Sequence, residues 1–412
     1  MGEGMLTINS EHRLRMENLP FDIDCWYPHL AEHTFPTTFV PLSRAEGEAI
    51  VRYHDTTWRH IPSLGWQDVG VLEHLRWRVD EVIRREYPEG AFVRLCGRSP
   101  KDGDPVDRQE ILDRWRVELD ALLEAGHPDN ANTKLVAVGR TPWLRVRSGE
   151  EALQLVLTSE RAFADVRDWL RYGEPEQIVI RRWHPELTLE HEFRVFVYKD
   201  TLTAVSHYDH YCIYPDLHLR REKVFKAIQA AWSAAHPNVR QDTYTADFAY
   251  LPSEDRAVLI ELSPFLPCTH AALYSWADDA EFLRAGPAVE VRLNERWTAE
   301  DPPKVLDDLV SGNWEDRWKE LVPPYSAALA TVPGAAWATR LARWLGWPPA
   351  GLRGPAGLRA GPNPLVFCYG TLKSGFHWHQ KYMSRATLVG PATTDEGVPM
   401  VLGESGVPYV LG

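Results

Sequence analysis

Residues 243–265 read TYTADFAYLPSEDRAVLIELSPF, two apolar segments on either side of the polar turn PSED. That pattern predicts an antiparallel hairpin. On its second arm Glu261 and Ser263 interrupt an apolar run, and because side chains alternate along a strand they point the same way. A turn centred on Glu254 sets Asp247 opposite Glu261. Facing side chains lie about 4.5–5.5 Å apart at Cβ, where bare like charges are destabilising. Either a divalent cation relieves the pair, or the face is solvated and the pair tolerated. Magnesium suits the first reading, since it takes hard oxygen ligands and completes its shell with water and phosphates.

A second hairpin precedes this one. In EFRVFVYKDTLTAVSHYD, residues 192–209, alternating segments flank Lys199, Asp200 and Thr201, and symmetry about Asp200 puts Arg194 opposite Ser206. Upstream, residues 69–86 carry Val71, Leu72, Leu75, Val79, Val82 and Ile83 at helical spacing, ended by Pro88 and Gly90. A short strand, AFVRL at 91–95, then enters the turn-rich CGRSPKDGDP. Residues 160–170 and 221–236 read as helices, the latter with Val224, Phe225, Ile228 and Trp232 on one face; QIVIRRW at 177–183 reads as a strand. Residues 321–346 suggest one more helix, and the Pro- and Gly-dense stretch 347–364 a linker.

The chain has 412 residues, 44% hydrophobic and 25% charged, which is the balance of a soluble protein of two or three domains. Its net charge of -13 argues against broad contact with a nucleic-acid backbone. Apolar runs fall short of the roughly 18–20 residues a bilayer requires, and the first residues lack the apolar core of a secretory signal, so a cytoplasmic protein is expected. The five cysteines, Cys25, Cys96, Cys212, Cys268 and Cys368, show no metal-ligand spacing and are expected to be reduced. The histidine-rich stretches at 206–211 and 377–379 have no matching second cluster.

An ordered set of stretches resembles the D123 family, the relatives of cell-division-cycle protein 123. These are CWYPHL at 25–30, FVRLCGRSPKDG at 92–103, IRRWHPELTLEHEFRVFV at 180–197, AVSHYD at 204–209, TADFAY at 245–250 and LIELSPFLPCTHAALYSW at 259–276. No single stretch is specific, but their order and spacing are. The resemblance implies an α+β chain with a two-lobed ATP-grasp fold and antiparallel sheets, binding ATP and Mg2+. It makes Ile180 to Trp183 the hinge that holds adenine, and Arg94, Asp102, Arg181, Arg182, Trp183 and Arg194 the nucleotide-binding set, with Arg94 and Arg194 facing the phosphates. Asp247, Glu261 and Ser263 become the metal ligands. The chain departs from the family pattern in having Arg94 for lysine, Cys96–Gly97 for Asn-Trp, Tyr208 for arginine, Glu261 for aspartate and Ser263 for asparagine.

Residues 364–412, with YGTL at Tyr369 to Leu372, resemble the start of a gamma-glutamylcyclotransferase domain, closest to the gamma-glutamylamine cyclotransferases. That family's general base lies downstream of the position matching Gly412, so an incomplete α/β fragment without cyclotransferase activity is expected. The expected organisation is a flexible stretch over 1–20, the ATP-grasp domain over 21–300, a helical segment and linker over 301–363, and the fragment over 364–412. Through the D123 resemblance, the expected function is assembly of eukaryotic translation initiation factor 2 through its gamma subunit. The alternative is an ATP-grasp carboxylate–amine ligase acting on an amino acid or peptide, linked to gamma-glutamyl metabolism; no catalytic residue is singled out.

Overall fold

The computed structural model describes residues 15–58, 64–107, 144–173, 175–210, 213–285, 289–295, 324–336 and 338–339, with a strand pair at 400–402 and 408–410. The first part comprises α1 (Ile23–Leu30), β1 (Thr37–Pro41), α2 (Arg44–Trp58), α3 (Trp66–Glu86), β2 (Ala91–Arg94), β3 (Arg145–Val146), α4 (Gly149–Thr158), α5 (Glu160–Tyr172) and β4 (Gln177–Arg182). Its four strands form an antiparallel sheet in the order β1-β4-β2-β3. The stripe on α3 is buried as its spacing requires: Leu72, Leu75, Val79 and Ile83 join the core with Ile178 and Ile180 of β4.

The second part holds β5 (Glu192–Tyr198), β6 (Thr201–His207), α6 (Pro215–Leu219), α7 (Arg221–Ala235), β7 (Tyr244–Leu251), β8 (Arg256–Pro264), α8 (Ala280–Ala285) and β9 (Glu290–Arg292). These strands make a mixed sheet, β8-β7-β5-β6-β9, in which β9 runs parallel to β6 and the other pairs are antiparallel. Val224 and Ile228 of α7 pack against it, with Phe225 and Trp232 at the edge of the same cluster. Lys199 and Asp200 both take positive φ, 48° and 62°, the geometry of a tight hairpin turn with matching twist. The chain is therefore α+β, with antiparallel pairing dominant.

Asp247 does stand opposite Glu261, but by a route that the turn alone does not provide. Near the turn Phe248 pairs with Leu259, while the next step pairs Asp247 with Glu261, leaving Ile260 as the extra residue of a bulge. Without that insertion Leu259, Glu261 and Ser263 would share a face. With it, Leu259 and Leu262 both enter the apolar core with Phe248, and Glu261 moves to the face of Asp247. The bulge thus separates the polar face from the core within one strand.

After the nine strands, α9 (Tyr325–Ala330) returns to the first sheet's layer. Tyr325, Leu329, Ala335 and Ala338 are buried in the core that contains α3 and α4, and Gly334, at φ 81°, turns the chain between them. Residues 324–336 and 338–339, expected from sequence to follow the domain, give these side chains to the first sheet's core. Within 364–412 the described residues form β10 (Met400–Leu402) and β11 (Pro408–Val410), an antiparallel pair. The YGTL loop, the histidines at 377–379, Cys212 and Cys368 lie outside the described residues. Cys25, Cys96 and Cys268 are free thiols, and no described helix is long and apolar enough to cross a membrane.

Candidate functional site

Cross-strand register aligns Ser206, Arg194, Asp247 and Glu261 in one row across β6, β5, β7 and β8. Arg194 and Asp247 form a two-pronged ion pair, Nε to Oδ1 at 2.8 Å and an Nη to Oδ2 at 2.7 Å, with side chains 4% and 1% exposed. The remaining Nη of Arg194 donates to the carbonyl of His270. Arg94, the last residue of β2, reaches across from the first sheet to Glu261 at 2.7 Å and also donates to the carbonyls of Leu95 and Gly97. Arg194 and Lys101 both approach the ring of Tyr208, at 4.9 and 5.4 Å from its centroid. Glu192, two residues before Arg194 on the same face, completes a cluster of alternating charges between the sheets.

Burial and charge oppose one another in this cluster. Burial works to raise the Glu261 carboxyl, but Arg94, Lys101 and Arg194 outweigh it and hold the pKa down at about 2. Glu192, which burial dominates, is pushed up to about 7. Burial also raises Asp247, against the pull of Arg194. The Lys101 ammonium is shifted upward, by Tyr208 first and then Glu192 and Glu261, with burial opposing.

Arg94, Arg194, Asp247 and Glu261 of the expected set meet here; other members have different surroundings. Arg181 is buried, 3% exposed, and spans the sheets by donating to the Ile260 carbonyl freed by the bulge and to the Thr34 hydroxyl, both at 2.7 Å. Burial first, then Arg94, lowers its pKa to about 9. Arg182 is exposed and lines a separate pocket of about 310 Å3 with Phe35, His184, Glu254 and Arg256. Trp183 continues the β4–β2 pairing beyond the strand end through its backbone N–H to the Gly90 carbonyl. The Asp102 carboxylate accepts from the Ser159 hydroxyl at 2.6 Å and from the N–H of Arg161, tying its loop to the start of α5. Ser159 itself caps that helix by accepting from the N–H of Ala162. Ser159→Ala is expected to cost about 1 kcal/mol in urea unfolding; an unchanged midpoint would remove the capping role.

The structure adds Lys101, Glu192 and Tyr208 to the site. Lys101 sits one residue before Asp102 in a loop, where periodicity offers no guide to direction.

The cluster can be tested against a magnesium–polyphosphate by asking which donors are already committed. Every side-chain nitrogen of Arg94 and Arg194 is hydrogen-bonded within the protein, which uses three of the five N–H groups of each guanidinium. So are both oxygens of Asp247 and Oε2 of Glu261. Among the described residues the Lys101 ammonium, Oε1 of Glu261 and the Ser263 hydroxyl have no hydrogen-bond partner. One cation and two hard oxygens, the oxygens two residues apart on β8, fit a polyphosphate carrying magnesium, which needs only one or two protein oxygens. Among the described residues no group of three or more His, Cys, Asp or Glu side chains could hold a metal by itself. The stacked rings of His210 and His270, 4.6 Å apart, make no such group.

Residues 160–302 match the D123 family model. That span includes β5 to β9 and so every site residue except Arg94 and Lys101. Among solved structures, Cdc123 from Schizosaccharomyces pombe is 18% identical, covers 68% of this chain and 96% of its own, and superimposes with a TM-score of 0.48. C-terminally truncated Cdc123 from the same organism gives 17% identity, coverage of 67% and 96%, and a TM-score of 0.46. No curated protein matches the chain.

Proposed function

We propose that this chain is a D123-type protein that binds ATP with magnesium between its two sheets, in the manner of an ATP-grasp domain, and acts as an assembly factor. Its partner is the gamma subunit of eukaryotic translation initiation factor 2. The observation that carries the nucleotide reading is the pairing of one uncommitted cation with two uncommitted oxygens inside an otherwise satisfied charge cluster. The family match over 160–302 supports the D123 assignment, and the choice of partner rests on the resemblance alone.

Glu261 and Ser263 would hold magnesium, which would supply charge neutralisation on the phosphates. Asp247 is spent on Arg194, so it shapes the site from behind rather than ligating. Phosphate charge would be met by Lys101, with Arg94 and Arg194 fixing the carboxylates around it.

The test is equilibrium binding of ATP to the full chain, with and without EDTA, beside pull-down of the gamma subunit. Glu261→Gln is expected to weaken ATP binding roughly tenfold in magnesium, the worth of one charged contact, and little in EDTA. Equal losses in both would remove the metal role. ADP release that depends on an added amino acid would replace the assembly reading with a ligase.

A further inference from the structure

Four cations, Arg94, Lys101, Arg181 and Arg194, are brought between the sheets, and they divide by what their donors already do. The three arginines are almost fully buried and spend every side-chain nitrogen on a carboxylate, carbonyl or hydroxyl of the protein. Their guanidinium planes are fixed, and withdrawing one would strand a buried partner. Lys101 differs in each respect. It is half-buried, among the described residues its ammonium makes no hydrogen bond or ion pair, and it sits over the face of Tyr208, 5.4 Å from the ring centroid, within the field of Glu192 and Glu261.

Tyr208 is shared, because Arg194 lies 4.9 Å from the same centroid. An aromatic face attracts a cation without consuming its N–H donors, so a ring can hold a lysine in place and leave three hydrogens to give. A carboxylate in that position would have neutralised it. The loop that carries Lys101 is anchored on both sides: Asp102 is tied to Ser159 and Arg161, and Gly103 lies so close to α4 that an added Cβ would stand 2.3 Å from the Leu155 carbonyl oxygen. Lys101 therefore projects from a fixed point.

We propose that Lys101, seated on the Tyr208 ring, is the side chain that contacts the ligand's anionic group directly, and that Arg94 and Arg194 are positioning residues that hold Glu261 and Asp247. This rests on the nucleotide reading above and selects a polyphosphate over an uncharged or zwitterionic ligand. Tyr208 is the positioning residue for Lys101, and its ring, not its hydroxyl, does the positioning.

The experiment is titration of the full-length protein with ATP, adenosine and inorganic tripolyphosphate, all in excess magnesium, with thermal melts as a folding control. Lys101→Gln is expected to weaken ATP and tripolyphosphate binding by roughly 10- to 100-fold while leaving adenosine binding unchanged. Lys101→Arg should recover most of the loss. Tyr208→Phe should bind as wild type and Tyr208→Leu should lose roughly tenfold. ATP affinity equal to wild type in folded Lys101→Gln overturns the inference and leaves the nucleotide reading standing. If Lys101→Gln fails to fold, Tyr208→Phe and Lys101→Arg decide, since a loss in Tyr208→Phe gives the role to the hydroxyl and contradicts the seat. Tripolyphosphate binding without ATP binding overturns the nucleotide reading while the lysine variants are scored on tripolyphosphate. No binding of either anion by the wild type overturns both.

Discussion

Asp247→Ala is expected to destabilise the fold by about 3–5 kcal/mol, whatever ligand is present, because it leaves the Arg194 guanidinium charged and buried without its partner. The pair lies at the centre of the row formed by β6, β5, β7 and β8, and neither side chain has solvent to turn to. Removing both charges tells a different story. Arg194→Met with Asp247→Leu replaces the pair by apolar volume, and such exchanges are commonly neutral or stabilising. The double variant should therefore recover most of what Asp247→Ala loses in urea denaturation. A single variant that melts like wild type would show that the pair is not desolvated as the geometry requires. Loss of ATP binding in Asp247→Ala, taken alone, would not establish a metal ligand, since a disturbed site and a lost ligand read alike.

The second large effect concerns pH and lies away from the nucleotide cluster. Glu176 is 1% exposed; one oxygen accepts from the N–H groups of Cys96 and Gln177, and the other, like Oδ2 of Asp165, has no partner among the described residues. Burial, reinforced by Asp165, raises Glu176 to about 7 from an ordinary 4.5, and burial likewise raises Asp22 to about 7. Arg15 opposes the shift at Asp22, and Arg98 is tied to the other oxygen of Asp165. Since the folded protein keeps these protons to higher pH than the unfolded chain, stability falls as pH rises from about 4.5 to about 7. For Glu176 alone the loss is about 3 kcal/mol at most. Glu261 has the opposite sign: its depressed pKa gives stability that is present above about 4.5 and disappears toward about 2. Glu176→Gln keeps the acceptor for Cys96 and Gln177 and replaces a carboxylate oxygen by a donor. Its expected result is a shallower decline between pH 4.5 and 7 and about 2 kcal/mol more stability than wild type at pH 8. Superimposable stability–pH profiles would contradict the burial of that charge.

How far these features could be read in the sequence depended on whether they follow from periodicity. The stripe on α3 and the hairpin turn at Lys199 and Asp200 are pattern properties, and the structure reproduces them; Arg194 does pair with Ser206, but through a bulge at Thr203 and not through symmetry about Asp200. Asp247 opposite Glu261 was also reached, though a symmetric turn was the wrong reason: the bulge at Ile260 supplies the register, and bulges leave no composition signal in VLIELSPF. The short parallel strand β9 was not anticipated, because Glu290–Arg292 is too brief for alternation to register. Nor was the return of Tyr325, Leu329, Ala335 and Ala338 to the first core, which is a long-range contact.

At the site the residue types were legible and their commitments were not. A sequence can place Arg94, Arg181 and Arg194 on the right strands; whether a guanidinium has donors left for a ligand depends on carbonyls and hydroxyls that only the assembled sheets bring near. Asp102 illustrates the reverse, since its neighbour Lys101 carries the uncommitted charge while Asp102 secures the loop.

The most direct measurement is a crystal structure of the full-length protein with a non-hydrolysable ATP analogue and Mn2+ in place of Mg2+, located by anomalous scattering. The expected map shows the polyphosphate between the two sheets, the Lys101 ammonium within hydrogen-bond distance of a phosphate oxygen, and the manganese peak on Glu261. Nucleotide bound instead beside Arg182 and His184, or no nucleotide between the sheets at saturating concentration, would contradict the assignment of this cluster as the binding site.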